Sequence, residues 1–132
     1  MEGRLVAETL LLLLREYSPP GREEGAARVF MERARELGLE AWRDEAGSVY
    51  ASASSRGPWL LALIGHIDTV PGWVEPRVSG GVVYGRGAVD AKGPLASMLH
   101  AAAAAGEGVV VAGLVGEEDD SSCLLYTSDA AD

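Results

Sequence analysis

The 132-residue chain contains one cysteine, one lysine, and no asparagine or glutamine. Because the lone cysteine, Cys123, has no partner within the chain, no internal disulfide can form, and a cytoplasmic setting is expected. Only 11 basic residues stand against 20 acidic ones. The resulting net charge of −9 would repel nucleic-acid phosphates and anionic membrane surfaces. We therefore expect neither nucleic acid nor a membrane as a partner.

Long apolar runs are also lacking. The leucine run at residues 10–14 is bounded by Glu8 and Arg15, and it is far shorter than the roughly 20 residues that a membrane span requires. This run is interpreted as part of a buried helix. Hydrophobic residues make up 48% of the chain, which suffices for a core, so a folded and soluble domain is expected.

Hydrophobic periodicity and turn residues predict alternating helices and strands. The predicted helices span residues 2–16, 23–37 and 94–106, and a predicted hairpin spans 40–43 and 48–53. Continuous apolar runs at 59–64 and 109–115 predict strands covered on both faces, the first of them central in its sheet. A loop up to residue 81 and a short strand at 82–84 lie between these two runs.

This alternation predicts an α/β fold, a three-layer sandwich with a mostly parallel mixed sheet. Residues 1–122 are assigned to this domain. Residues 123–132 follow no periodicity and no turn pattern, and are predicted to be a non-native tail. Ligands of such folds bind beyond the carboxyl ends of the strands, so the residues that follow the two apolar runs are the candidate site.

Imidazole and carboxylate side chains occur at these positions. His66 and Asp68 follow the first apolar run, Glu117 and Glu118 follow the second, and Asp90 precedes the third helix. One imidazole with several carboxylates is a donor set suited to Zn²⁺, Co²⁺ or Mn²⁺. A two-metal hydrolytic centre is the natural interpretation, because it requires a bridging carboxylate, terminal ligands and a nearby base.

Other chemistries have weaker support. Residues 85–90 partly imitate a dinucleotide-binding loop, but Asp90 replaces the last glycine and would repel a pyrophosphate. A Gly-x-Ser-x-Gly motif is absent, which leaves covalent catalysis unsupported. The acidic run at 117–120 could also be a solvated loop, and His100 is expected to have a structural role. Arg86 and Lys92 could each orient a loop or meet a substrate carboxylate.

Three segments resemble the N-terminal motifs of the M20 metallopeptidases. They are Gly-His-Ile-Asp-Thr-Val-Pro-Gly at 65–72, Gly-Arg-Gly-Ala-Val-Asp-Ala-Lys-Gly at 85–93, and Gly-Glu-Glu at 116–118. The resemblance covers about residues 1–122. It implies the N-terminal part of a zinc-exopeptidase-like catalytic domain without its lid domain. Such a fragment is expected to be inactive alone, and the full-length protein is a candidate homodimer.

The resemblance also implies a role for each site residue. His66, Asp90 and Glu118 would bind two divalent metal ions, Zn²⁺ or Co²⁺, with Asp90 bridging them. Asp68 would hydrogen-bond the second ring nitrogen of His66. Glu117 would act as the general base.

The residues of the motifs look most like those of M20 hydrolases that release lysine or ornithine from an amino-group carrier protein. The expected substrate is an N-acylated amino acid or carrier-linked lysine or ornithine. An acetylornithine deacetylase or succinyl-diaminopimelate desuccinylase stays open, as does a noncatalytic M20-like binding domain. Asp68 and Glu117 favour an enzyme, because a mere scaffold would not need them. In this family the peptide bond after the bridging aspartate, here Asp90, is often cis.

Overall fold

The computed structural model describes residues 2–119, which contain three α-helices and six β-strands. The helices are α1 (Glu2–Leu14), α2 (Glu24–Glu36) and α3 (Lys92–Ala105). The strands are β1 (Glu40–Arg43), β2 (Val49–Ser52), β3 (Leu61–His66), β4 (Arg77–Ser79), β5 (Val82–Tyr84) and β6 (Val109–Leu114). The predicted elements are confirmed, with their ends within two residues of those expected. Asp120, Cys123 and the predicted tail at 123–132 lie outside the described residues.

Four strands form a mixed sheet in the order β1-β2-β6-β3. Strand β2 is antiparallel to both β1 and β6, whereas β3 and β6 are parallel. The α/β class with a mixed sheet is confirmed. The sheet was expected to be mostly parallel, but among the described strands β3 and β6 form the only parallel pair. Two strands joined by a short turn pair in antiparallel fashion, and β1 and β2 are such a pair. In their turn, the Asp44 carboxylate accepts the Ser48 N–H at 3.0 Å and the Tyr50 hydroxyl at 2.6 Å.

Helices α2 and α3 pack on the same face of this sheet, and α1 packs on both of them. The paired residues Gly65 and Gly113 demonstrate this, because Gly65 faces Leu95 of α3 while Gly113 faces Phe30 of α2. Large side chains of the resulting core include Leu13, Phe30, Val49, Ile67, Leu95, Leu99 and Val111. Within residues 2–119 the helices cover one face, so the second helical layer of the predicted sandwich is not among these residues.

Helix α1 contains the leucine run. Leu13 and Leu14 are buried, as expected for a helix that packs on the core. The helix has 13 residues. In the part of the chain that the structure describes, no helix is both long and apolar enough to cross a membrane.

Strand β3 lies at an edge of the described sheet, where the sequence predicted a central strand. Leu61 and Ile64 are 53% and 59% exposed. These exposures show that the expectation of a strand covered on both faces is wrong for residues 2–119. The expected central position is wrong there as well, because β6 is the only hydrogen-bonded neighbour of β3 among them. Strand β6 lies between β2 and β3 and is buried along most of its length, as predicted.

The segment predicted as a loop before residue 81 contains a strand. Strand β4 pairs with β5 in a separate antiparallel hairpin. Gly80 and Gly81 connect the two strands with φ angles of 57° and 78°. Two consecutive positive φ angles are what a type I′ turn requires, and glycine adopts them without steric cost. The Gly-Gly pair was the sequence signal that could have identified this hairpin.

A polar network joins the three helices around Thr9. The buried Thr9 hydroxyl lies 2.7 Å from His100 Nε2 and accepts the Arg33 Nε–H at 2.8 Å. This contact agrees with the structural role expected for His100. Burial lowers the pKa of His100, and the positive charge of Arg33 lowers it further.

This network predicts a loss of stability in acid. The pKa of His100 is lower in the folded than in the unfolded chain, so its contribution is complete above about pH 6.5 and declines below it. The charged group that acts on it is Arg33, whose guanidinium also lies 3.9 Å from the Glu36 carboxylate. We expect the difference in unfolding free energy between the wild type and His100→Gln to shrink from about pH 7 to about pH 5 in urea titrations. A constant difference would contradict this prediction.

Candidate metal centre

The predicted site residues come together at the carboxyl ends of β3 and β6. His66 ends β3 and is followed by Asp68, while Glu117 and Glu118 follow β6. Because these strands are parallel neighbours, their carboxyl ends meet at the same edge of the sheet. The loop before α3 brings Asp90 to the same place.

Three carboxylates surround Nε2 of His66. This nitrogen lies 2.8 Å from Asp90 Oδ1, 3.5 Å from Glu117 Oε2 and 3.9 Å from Glu118 Oε1. One ligand atom from each of His66, Glu117 and Glu118 can be chosen so that all three lie within 4.8 Å of one another. The His66 side chain is 10% exposed and that of Asp90 is 71% exposed, so the cluster opens to solvent at Asp90.

Asp68 links the two strand ends. It is fully buried, and its carboxylate accepts the backbone N–H groups of Glu117 at 3.2 Å and Glu118 at 2.8 Å. His66 Nδ1 lies 3.4 Å from this carboxylate and donates to the main-chain oxygen of Asp68 at 2.8 Å. The second ring nitrogen thus hydrogen-bonds the main-chain oxygen of Asp68, and the Asp68 carboxylate, the partner implied by the resemblance, lies nearby. Its hold on the Glu117–Glu118 backbone is an additional contact that sequence reasoning missed.

The proximity of these groups changes their pKa values. Burial lowers the pKa of His66, but hydrogen bonds to Asp68 and Asp90 raise it more, to about 9. Burial raises the pKa of Glu118, and the negative charges of Asp90 and Glu117 raise it further. The carboxylates therefore repel one another and attract a positive charge.

A divalent cation fits this cluster. The donor atoms are one imidazole nitrogen and several carboxylate oxygens, which Zn²⁺, Co²⁺ and Mn²⁺ accept. A divalent ion would relieve the repulsion among the carboxylates more fully than the single charge of a protonated His66. The peptide bond between Asp90 and Ala91 is cis, as the resemblance implied.

Lys92 anchors the loop that carries Asp90. Its buried ammonium donates to the main-chain oxygens of Leu13 at 3.0 Å and Glu16 at 2.6 Å, at the end of α1. Burial lowers the pKa of Lys92 to about 8, against the opposing effect of Glu16. In the same loop Gly87 has a φ of 88°, and a methyl group there would lie 2.5 Å from Thr69 Cγ2. Of the two roles left open for Lys92, the structure supports loop orientation.

A model of peptidase family M20/M25/M40 matches residues 62–128, about half of the chain, including all three motifs. The chain belongs to this family. The resemblance identified from the motifs is therefore confirmed.

Relatives of this M20 chain match most of it, and the chain spans about a third of their length. A relative from Aeropyrum pernix, provisionally named LysW-lysine/LysW-ornithine hydrolase, is 49% identical over 126 residues, covering 92% of this chain and 36% of the relative. The LysW-lysine/LysW-ornithine hydrolase of Sulfurisphaera tokodaii is 44% identical over 101 residues, covering 76% and 28%. An M20 family metallo-carboxypeptidase structure from Sulfolobus solfataricus has a TM-score of 0.80 at 22% identity, covering 95% and 34%. This last similarity confirms the fold.

An open cleft of about 430 Å³ adjoins the M20 motifs. The charged residues that line it are Arg86, Asp90 and Glu118. Its apolar walls include Val70, Val74, Val83, Tyr84 and Val89. Ligand sites commonly combine apolar walls with a few convergent polar groups, as this cleft does. Sequence reasoning missed these walls, because they come from separate segments of the chain that only the tertiary structure brings together.

Proposed function

We propose that the intact protein is a metal-dependent amide hydrolase that releases lysine or ornithine from an amino-group carrier protein. The observation that carries this proposal is the convergence of three carboxylates within 4 Å of His66 Nε2. The names of the relatives, which join LysW to lysine and ornithine, support a carrier-linked substrate. Because the chain spans about a third of these relatives, the activity is assigned to the intact protein. Residues 1–122 would be the N-terminal portion of its catalytic domain, followed here by a non-native tail at 123–132.

His66, Asp90 and Glu118 are the proposed ligands of two divalent ions, Zn²⁺ or Co²⁺, with Asp90 as the bridge. The short distance from Asp90 Oδ1 to His66 Nε2, 2.8 Å, supports a shared site. Bound there, the ions would polarise the scissile carbonyl and make the attacking water more acidic. Asp68 would hold the His66 ring in place through the contacts at Nδ1.

Glu117 is the proposed general base. Its side chain is 38% exposed and lies next to the proposed ligands, so water can reach it. Glu117 would take a proton from the attacking water while the water oxygen bonds to the scissile carbonyl carbon. When the C–N bond then breaks, Glu117 would pass the proton to the nitrogen, which leaves as a free amine, and the carbonyl carbon becomes a carboxylate. The backbone N–H of Glu117 donates to the Asp68 carboxylate, and this hydrogen bond positions the Glu117 side chain relative to His66.

The proposed reaction belongs to lysine or arginine biosynthesis and would take place in the cytoplasm. Its substrates would be N-acylated amino acids or carrier-linked lysine or ornithine. A homodimer stays a prediction for the intact protein.

Metal content and turnover together test this function. Intact protein purified without chelators is expected to retain about two equivalents of Zn²⁺ or Co²⁺. It should lose hydrolysis of carrier-linked lysine after chelation and regain it when either ion is added. A noncatalytic domain would bind metal without releasing lysine, and a deacetylase or desuccinylase would prefer N-acetylornithine or N-succinyl-diaminopimelate. Full activity without any retained ion would overturn the proposal.

A further inference from the structure

We infer that Arg86 binds a carboxylate group of the substrate in the cleft beside the metal centre. This inference rests on the proposed function and specifies the chemistry of its substrate. The ligand class is an N-acylated amino acid with a short aliphatic chain between the scissile amide and a carboxylate.

The guanidinium of Arg86 is held along one side only. Its Nε–H donates to the main-chain oxygen of Gly72 at 2.6 Å. Among residues 2–119, neither Nη nitrogen has a hydrogen-bond or ion-pair partner. These two nitrogens can present parallel N–H donors, which match the two oxygens of a carboxylate.

The charges in the cleft favour an anion at Arg86. Arg86 is the one cation among the described residues that line the cleft. Two acidic residues, Asp90 and Glu118, also line it. Asp90 already contacts His66 at 2.8 Å, and neither acidic residue forms an ion pair with Arg86 in the described part of the chain. Since the chain has a net charge of −9, most of its surface would repel an anionic substrate. Arg86 therefore supplies an attraction for an anion that no other described residue lining the cleft supplies.

The walls of the cleft specify the remainder of the ligand. Val70, Val74 and Val89 line it and are 43%, 37% and 85% exposed. Apolar surface of this kind is stabilised when an aliphatic chain covers it. The carboxylate could belong to the acyl group or to the released amino acid, because both lie a few bonds from the scissile amide.

Tyr17 offers a matched control for indirect effects of Arg86. The Gly72 peptide group donates its N–H to the Tyr17 hydroxyl at 2.7 Å and accepts from Arg86 at its oxygen. Tyr17→Phe removes one of these two supports without changing the charge of the cleft. If Arg86 acted only by holding the loop, its variants and Tyr17→Phe would affect all substrates in the same pattern.

Steady-state kinetics of the intact, metal-loaded enzyme test the inference with three substrates. N-succinyl-lysine carries both carboxylates, N-butyryl-lysine lacks the one on the acyl group, and N-succinyl-lysinamide lacks the one on lysine. Arg86→Met is expected to raise KM roughly ten- to a hundredfold for substrates with the recognised carboxylate, with a much smaller change in kcat. Arg86→Lys should recover part of this loss.

The pattern of losses identifies the carboxylate. A loss that vanishes with N-butyryl-lysine assigns it to the acyl group, whereas one that vanishes with N-succinyl-lysinamide assigns it to lysine. Equal losses on all three substrates, matching those of Tyr17→Phe, would overturn the inference while the proposed function stands. If the wild type hydrolysed none of them, the proposed function would fail for this substrate class. Calorimetric binding of N-succinyl-lysine would then decide, since an unchanged Kd in Arg86→Met would refute the role of Arg86.

Discussion

Replacing Glu117 with glutamine is expected to lower the kcat of the intact enzyme by about 10²- to 10⁴-fold without loss of bound metal. Glutamine has nearly the same size, and the backbone N–H of residue 117 can still donate to Asp68. What disappears is the carboxylate that accepts the proton from water. Metal content, measured by elemental analysis, and hydrolysis of carrier-linked lysine are the two measurements.

The adjacent Glu118→Gln is the matched control. It makes the same chemical change in a proposed ligand, 3.9 Å from His66 Nε2, and should reduce metal content and turnover together. Normal turnover in Glu117→Gln would remove the general base from the proposal. If Glu117→Gln instead lost the metal while Glu118→Gln retained it, the two roles would be exchanged.

Asp68→Asn is expected to weaken metal binding by about 10- to 100-fold and to destabilise the fold by about 1–3 kcal/mol. The buried carboxylate accepts two backbone N–H groups, from Glu117 and Glu118, and also contacts His66. Asparagine has one carbonyl oxygen, so it could accept one of the two backbone N–H groups, while its own NH₂ group would face the other N–H and repel it. Competition with a chelator measures metal affinity, and urea unfolding measures stability.

Asp44→Asn controls for the general effect of removing such a carboxylate. Asp44 also accepts a backbone N–H, from Ser48, but it lies in the β1–β2 turn and contacts Tyr50. This variant is expected to lose some stability and to bind metal normally. Unchanged metal affinity in Asp68→Asn, or an equal loss in Asp44→Asn, would contradict the role given to Asp68.

Local sequence patterns predicted the elements and the composition of the site. The helices and the β1–β2 hairpin could be located because periodicity and turn residues act over a few positions. His66 and Glu117 could be placed at strand ends because the apolar runs stop just before them. Strand β4 was missed because its three residues include a single apolar one, Val78, whereas β5, which is equally short, is apolar throughout.

Sequence patterns could not assign roles to Arg86, in the loop before α3, and Lys92, the first residue of that helix. For each of these two cations the sequence left the same two roles open, which were to orient a loop or to bind a substrate carboxylate. In the structure, Lys92 is buried against the end of α1, while Arg86 lines the cleft and contacts Gly72. The packing of α1 against α3 decides this difference, and residues far apart in sequence create that contact.

Sequence patterns alone were enough to predict most helices and strands, the motifs, and the position of Asp68, Glu117 and Glu118 after apolar strands. The edge position of β3 in the described sheet, and the contacts of Asp68 with the backbone of Glu117 and Glu118 and with the ring of His66, follow from tertiary packing. These two kinds of information differ because the underlying interactions act over different distances along the chain. Periodicity depends on neighbours along the chain, whereas strand order and buried hydrogen bonds depend on contacts between distant segments.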